Sequence, residues 1–181
     1  MKSIILIIFL IVALNSYSQD NKQSDNWFSL EYSFYYSSVP SPYHYEYIIA
    51  ITPDLKGKIK YILGYVESKS PVYNFDFTIS QKEFNYICSS IKKCKILTDE
   101  FSSLPKEEWK TGGTSDHLKL IYESASLVKP FDSVEVCEHP KGKYGKKLEK
   151  FYEYINTLVP MSTWAELKQI REDYMNQMKE M

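Results

Sequence analysis

The chain lacks the usual marks of a catalytic centre. It has no His-Glu-x-x-His run for zinc, no Gly-x-Ser-x-Gly elbow and no phosphate-cradling glycine loop. Thr111-Gly112-Gly113-Thr114-Ser115 offers hydroxyls and backbone N–H groups, but no basic residue completes a Walker-type loop and no helix is predicted behind it. It therefore reads as a loop entering a strand. The three histidines, His44, His117 and His139, are scattered. His117 and Asp116 are adjacent on a predicted strand and point to opposite faces, whereas His44 and Glu46 share a face and read as a surface pair.

Cysteine is scarce as well. Cys88 and Cys94 fall on one predicted helix, where six residues span about 9 Å, more than the roughly 7 Å a disulfide tolerates between alpha carbons. Cys94–Cys137 is the pairing left open in an oxidising compartment. Cys137-Glu138-His139 supplies two ligands one residue apart, but a structural zinc site draws four from two separated pairs. No metal and no cofactor is expected.

One-sided charge is also missing. The chain has 22 basic and 23 acidic residues, which gives no electrostatic reason to expect nucleic acid or an anionic membrane as partner. The lysine run Lys141, Lys143, Lys146, Lys147 and Lys150 is interleaved with or followed by Glu149 and Glu153, and reads as a solvated helix start. No internal repeat or low-complexity tract occurs.

The one long hydrophobic run lies at the start. Lys2 precedes eleven apolar residues, Ile4 to Leu14, and the polar segment Asn15–Ser18 follows with small residues where a signal peptidase reads. The run is shorter than the roughly 18–20 residues that cross a hydrocarbon core. The expectation is a signal peptide over residues 1–18, cut before Gln19, and an exported protein, periplasmic or secreted, with no transmembrane anchor after processing. Residues 19–26 read as a disordered lead-in and 27–181 as a single domain.

What the chain has in excess is tyrosine, sixteen of them. A phenol ring fills space like a hydrophobe yet keeps a polar tip, so it suits half-buried sheet positions and binding surfaces equally. From Trp27 the pattern alternates. Phe28, Leu30, Tyr32, Phe34 and Tyr36 fall on one face of a strand, and Pro40 and Pro42 break it. A second strand aligns Tyr43, Tyr45, Tyr47, Ile49 and Ile51. After the turn at Pro53–Gly57, a third (Lys58–Val66) aligns Ile59, Tyr61, Leu63 and Tyr65, and a fourth aligns Tyr73, Phe75, Phe77 and Ile79. This predicts a four-stranded antiparallel meander with one buried face.

Ser80-Gln81-Lys82-Glu83 is a capping box, and Phe84, Ile87, Cys88, Ile91 and Cys94 recur behind it at helical spacing. Thr98–Ser115 has no period and is long enough to be functional or mobile. A hairpin follows, over Asp116–Glu123 and Leu127–Val136, and reads as extending the sheet. Two helices close the chain, one bearing Leu148, Phe151, Tyr152, Ile155 and Val159 and ending at Pro160, the other opening at a second box, Thr163–Glu166. The fold class predicted is α+β.

The aromatic block is the unusual surface candidate, with nine aromatic rings between Trp27 and Tyr47. Most read as core. Those expected on the open face or in the bend are Trp27, Tyr35 and Tyr43, joined by Trp109, Gly112 and Gly113 of the long loop as a binding surface. Three functions fit: a non-catalytic exported module that binds a protein or cell-surface polymer, an immunity- or inhibitor-type protein being one form; a hydrolase with an unmarked active site; or a structural component of the envelope.

Overall fold

A computed structural model describes residues 27–37, 39–65, 70–98, 101, 105, 113–124, 131–136 and 145–180. The expected signal peptide and lead-in, with Trp109, Gly112, Cys137 and His139, lie outside them. The described chain is mixed α+β. Its strands are β1 (Trp27–Ser37), β2 (Tyr45–Ile51), β3 (Lys56–Leu63), β4 (Val72–Thr78), β5 (Gly113–Glu123) and β6 (Phe131–Val136). Its helices are α1 (Gln81–Lys93), α2 (Gly145–Leu158) and α3 (Met161–Glu180), with a 3-10 turn at Ser41–Tyr43.

The expected four-stranded sheet is corrected to six strands, in the order β4-β3-β2-β1-β5-β6 and antiparallel throughout. The two added strands are the hairpin, which extends the meander as its reading implied. β5 pairs along nearly the whole free edge of β1, from Trp27–Tyr122 to Ser37–Gly113. This makes β1 a central strand and leaves β4 and β6 as the edges. Ring contacts put all three helices on one face: α1 through Phe84 on Trp27, α2 through Tyr152 on Tyr32, and α3 through Trp164 on Tyr47.

The register sorts that face into rows. Two rows are largely aliphatic: Phe75–Ile59–Ile49–Tyr32–Leu118–Val136, and Phe77–Gly57–Ile51–Leu30–Leu120–Val134. Toward the other end lie Tyr73–Tyr61–Tyr47–Phe34–Asp116, then Leu63–Tyr45–Tyr36–Thr114. Ile87 and Ile91 of α1 and Leu148, Phe151 and Ile155 of α2 complete the buried apolar layer. Each such side chain stabilises the fold by about 1.5–3 kcal/mol on full burial. Gly57 is required here because the Phe77 ring lies over it; a Cβ would sit 2.2 Å from a ring carbon.

Local signals explain where elements begin. The Ser80–Glu83 capping box forms, with the serine side chain accepting from Glu83 N–H and the glutamate accepting from Ser80 N–H at 2.6 Å. The second box does not. Pro160 ends α2, and α3 opens at once, with Trp164 N–H donating to the Pro160 carbonyl at 3.1 Å; Thr163 is therefore already inside the helix. No described helix is long and apolar enough to cross a membrane.

β1 departs from its predicted alternation at the start. A bulge between Trp27 and Ser29 inserts one extra residue, and the phase of the strand slips. Trp27 consequently turns into the core at 2% exposure, and Phe28 turns out at 54% to meet Phe131, with ring centroids 5.0 Å apart.

Candidate functional site

The tyrosine end of the helix-covered face has two layers. The inner one is a hydrogen-bonded network. Tyr32 donates to Asp116, Tyr47 donates to Asn156 Oδ1 at 2.7 Å, and Asn156 Nδ2 donates to the Tyr152 carbonyl at 2.9 Å and toward the Tyr32 hydroxyl at 3.3 Å. Trp164 Nε1 donates to the Asn156 carbonyl at 3.1 Å and so ties α3 to α2. Burial raises the Asp116 carboxyl above the usual range; the Tyr32 hydrogen bond opposes that, and Glu149 adds to it. Burial also raises the Tyr32 and Tyr47 phenols, so both remain hydrogen-bond donors across the physiological range. This layer positions rings around one buried carboxyl, Asp116.

The outer layer meets solvent. Arg171 of α3 lies with its guanidinium carbon 4.1 Å above the Tyr45 ring and 5.9 Å from Tyr36, and its Nη2 donates to the Tyr43 carbonyl at 3.3 Å. Tyr43 is 42% exposed and Tyr65 41%, and the Tyr65 hydroxyl donates to the Val39 carbonyl at 2.6 Å. Gly64, at φ +73, sits where a Cβ would meet the Tyr174 hydroxyl at 2.9 Å, so α3 approaches the sheet closely at this end. No carboxylate forms an ion pair with Arg171 among the described residues. Arg171 is the one arginine among the 22 basic residues. A planar, weakly hydrated guanidinium stacks on phenol rings in a way an ammonium does not, which accounts for arginine here.

The sequence-predicted binding residues separate. Tyr35 is half-buried on the open face, in a row with Glu46 and Ser115. Tyr43 is exposed in the 3-10 turn, and Gly113 opens β5 at φ +106 with open space around it. These three share one end of the sheet, because Tyr35 pairs with Ser115 and Ser37 with Gly113. The long loop therefore re-enters the fold beside Tyr36. Trp27 does not join them. The bulge that turns it inward stacks it on Phe84 at 5.3 Å, which corrects the expectation of an exposed ring. Sequence reasoning missed Arg171 and Tyr65; the solitary arginine in a lysine-rich chain was the available signal.

The alternative chemistries find little geometry. His44 is not a surface residue; it is 5% exposed and stacked 4.1 Å from Tyr65. His117 is on the open face with Nε2 3.6 Å from Glu135, which also meets Lys119 at 3.3 Å. Asp116 points to the opposite face, as the alternation required. Concave surfaces over Ala50, beside Cys88 and around Cys94 are lined by neither histidine. Cys94 is an unbridged, buried thiol that burial pushes up against the pull of Lys147 and Lys93. No group of three or more potential metal ligands occurs among the described residues. No protein-family model matches this chain, and no curated protein matches its sequence.

Proposed function

We propose that the protein is an exported, non-catalytic binding module whose contact surface is the tyrosine–arginine end of the sheet. Export rests on the Lys2–Ser18 pattern. The contact surface rests on one observation: Tyr36, Tyr43, Tyr45, Tyr65 and Arg171 converge where the long loop rejoins the sheet. Tyrosine and arginine dominate binding hot spots because each combines a broad flat contact with a polar group and few rotatable bonds for the area covered. The partner is a protein or cell-surface polymer that presents an acidic group to Arg171, an immunity- or inhibitor-type target being one form.

The test is capture from the organism's own cell envelope on immobilised protein, with identification of what is retained. Wild-type protein retains a partner that the Tyr43→Ala/Arg171→Ala double variant loses, while both give the same circular dichroism spectrum. Equal retention by a folded double variant overturns the assignment of the surface. N-terminal sequencing of the protein recovered outside the cytoplasm should begin at Gln19; recovery of intact Met1 there overturns the export reading.

A further inference from the structure

The two edges of the sheet are not alike. β6 carries two acids, Asp132 and Glu135, and no base. β4 reads Val72-Tyr73-Asn74-Phe75-Asp76-Phe77-Thr78, with no lysine, no proline and no bulge in its pairing with β3. Charges, prolines and bulges are devices by which natural proteins protect an edge strand from pairing, and of these β4 carries a single acid, Asp76. Among the described residues no strand lies on its outer side.

The direction of its free backbone groups follows from the ladder. Leu63 N–H donates to the Pro71 carbonyl at 3.1 Å and Ile79 N–H to the Leu55 carbonyl at 2.9 Å. Antiparallel pairs alternate in hydrogen bonding, so positions 71, 73, 75, 77 and 79 face β3. Val72, Asn74, Asp76 and Thr78 therefore direct N–H and C=O away from the sheet.

We propose that β4 pairs antiparallel with β4 of a second copy of this chain, about a two-fold axis at Phe75. In that register Asn74 faces Asp76 of the second copy and Val72 faces Thr78, and all the outward backbone groups are used. Lys60 lies opposite Asn74 and Lys58 opposite Asp76 within one copy. Each polar row across the joint thus reads Lys60–Asn74–Asp76–Lys58, with the amide donating to the carboxylate. On the helix side Phe75 meets its own copy and Tyr73 meets Phe77, aromatic cross-strand pairs of the favourable kind. The neighbouring registers are poorer. An axis at Asp76 opposes two like charges, and an axis at Asn74 leaves Thr78 unpaired. An axis between residues turns inward-facing backbone groups toward the partner. The product is an isologous dimer in which two six-stranded sheets become one.

Analytical ultracentrifugation of the purified protein from about 1 to about 300 μM covers the range in which a small interface associates. Wild-type protein shifts from monomer to dimer mass over that range. Asn74→Asp, a change at an exposed position, opposes two carboxylates at both symmetry-related pairs and weakens association by on the order of tenfold. The register is read independently by oxidising Asn74→Cys protein mixed with Asp76→Cys protein. Hydrogen-bonded pairs hold their alpha carbons about 5.5 Å apart, within disulfide reach. The mixture gives a reducible dimer that neither variant gives alone, each variant serving as the control for the native cysteines. A wild-type protein monomeric throughout, association unchanged in Asn74→Asp, or cross-linking no better in the mixture than in the single variants overturns the proposal.

Discussion

The two ends of the helix-covered face share one sheet and one helical layer but differ in chemistry. At one end Leu30, Ile51, Ile59, Leu118 and Leu120 are fully buried against Ile87, Ile91 and Leu148. At the other, Phe34, Tyr45, Tyr47 and Tyr61 stack on one another at 4.8–6.4 Å, with Asn156 and Arg171 threaded among them. The aliphatic end holds the fold by removing apolar surface from water, an effect with no preferred direction. The tyrosine end holds orientation. Its hydroxyls are bonded to particular partners, and its outer rings remain partly in water. A domain that must be stable and also present a defined surface can divide the two tasks between the ends of one layer.

That division can be broken by mutation. Leu30→Ala should cost about 2–5 kcal/mol in denaturant unfolding, the range for emptying a tightly packed aliphatic site. Asn156→Ala should cost about 1–3 kcal/mol, since it removes the acceptor of a buried Tyr47 hydroxyl. If Asn156→Ala costs more than Leu30→Ala, the tyrosine end is the main source of stability and the comparison is reversed. Arg171→Ala should cost only about 0.5–1 kcal/mol, the scale of a partly exposed cation–π contact, and leave the unfolding transition cooperative.

The smallest effect sharpens the comparison by pH. Asp116 binds its proton more tightly in the folded state than in the unfolded one, because burial disfavours the carboxylate. Folding therefore takes up a proton at Asp116 between the ordinary value of 3.8 and the raised folded one, and its contribution to stability falls as pH rises through that interval. Asp116→Asn keeps an oxygen to accept from Tyr32 and removes the charge. Its contribution to the slope should vanish, and the variant should exceed wild type in stability near neutral pH while matching it below 3.8. Urea titrations over a pH series measure both. If the slope of wild type minus that of Asp116→Asn has the opposite sign over that window, the carboxylate is stabilised, not strained, by its surroundings.

Much of this was legible in the residues. The alternation of Leu30, Tyr32, Phe34 and Tyr36 placed them on the covered face, and Ser80–Glu83 marked the start of α1, because both signals depend on near neighbours in the chain. The phase slip at Trp27 was not legible. A bulge is decided by how β1 matches β5, a strand far along the chain. The same pairing joins the hairpin to the four-stranded meander and makes a sheet of six. The start of α3 was misread because Thr163–Glu166 carries the letters of a capping box, while the helix had already opened behind Pro160, three residues earlier.

The candidate site divides in the same way. Tyr35, Tyr43 and Gly113 stood out by composition and turn chemistry, and they do share one end of the sheet. That Arg171 would bond the carbonyl of Tyr43, 128 residues away, and close over Tyr36 and Tyr45 could come only from the docking of α3. Local periodicity and capping thus determined which segments are strands and helices and which face of each is apolar, since those preferences act over a few residues. Strand order, the bulge and the meeting of an arginine with a row of tyrosines were decided by the tertiary structure, because they depend on contacts between segments whose separation along the chain leaves no local trace.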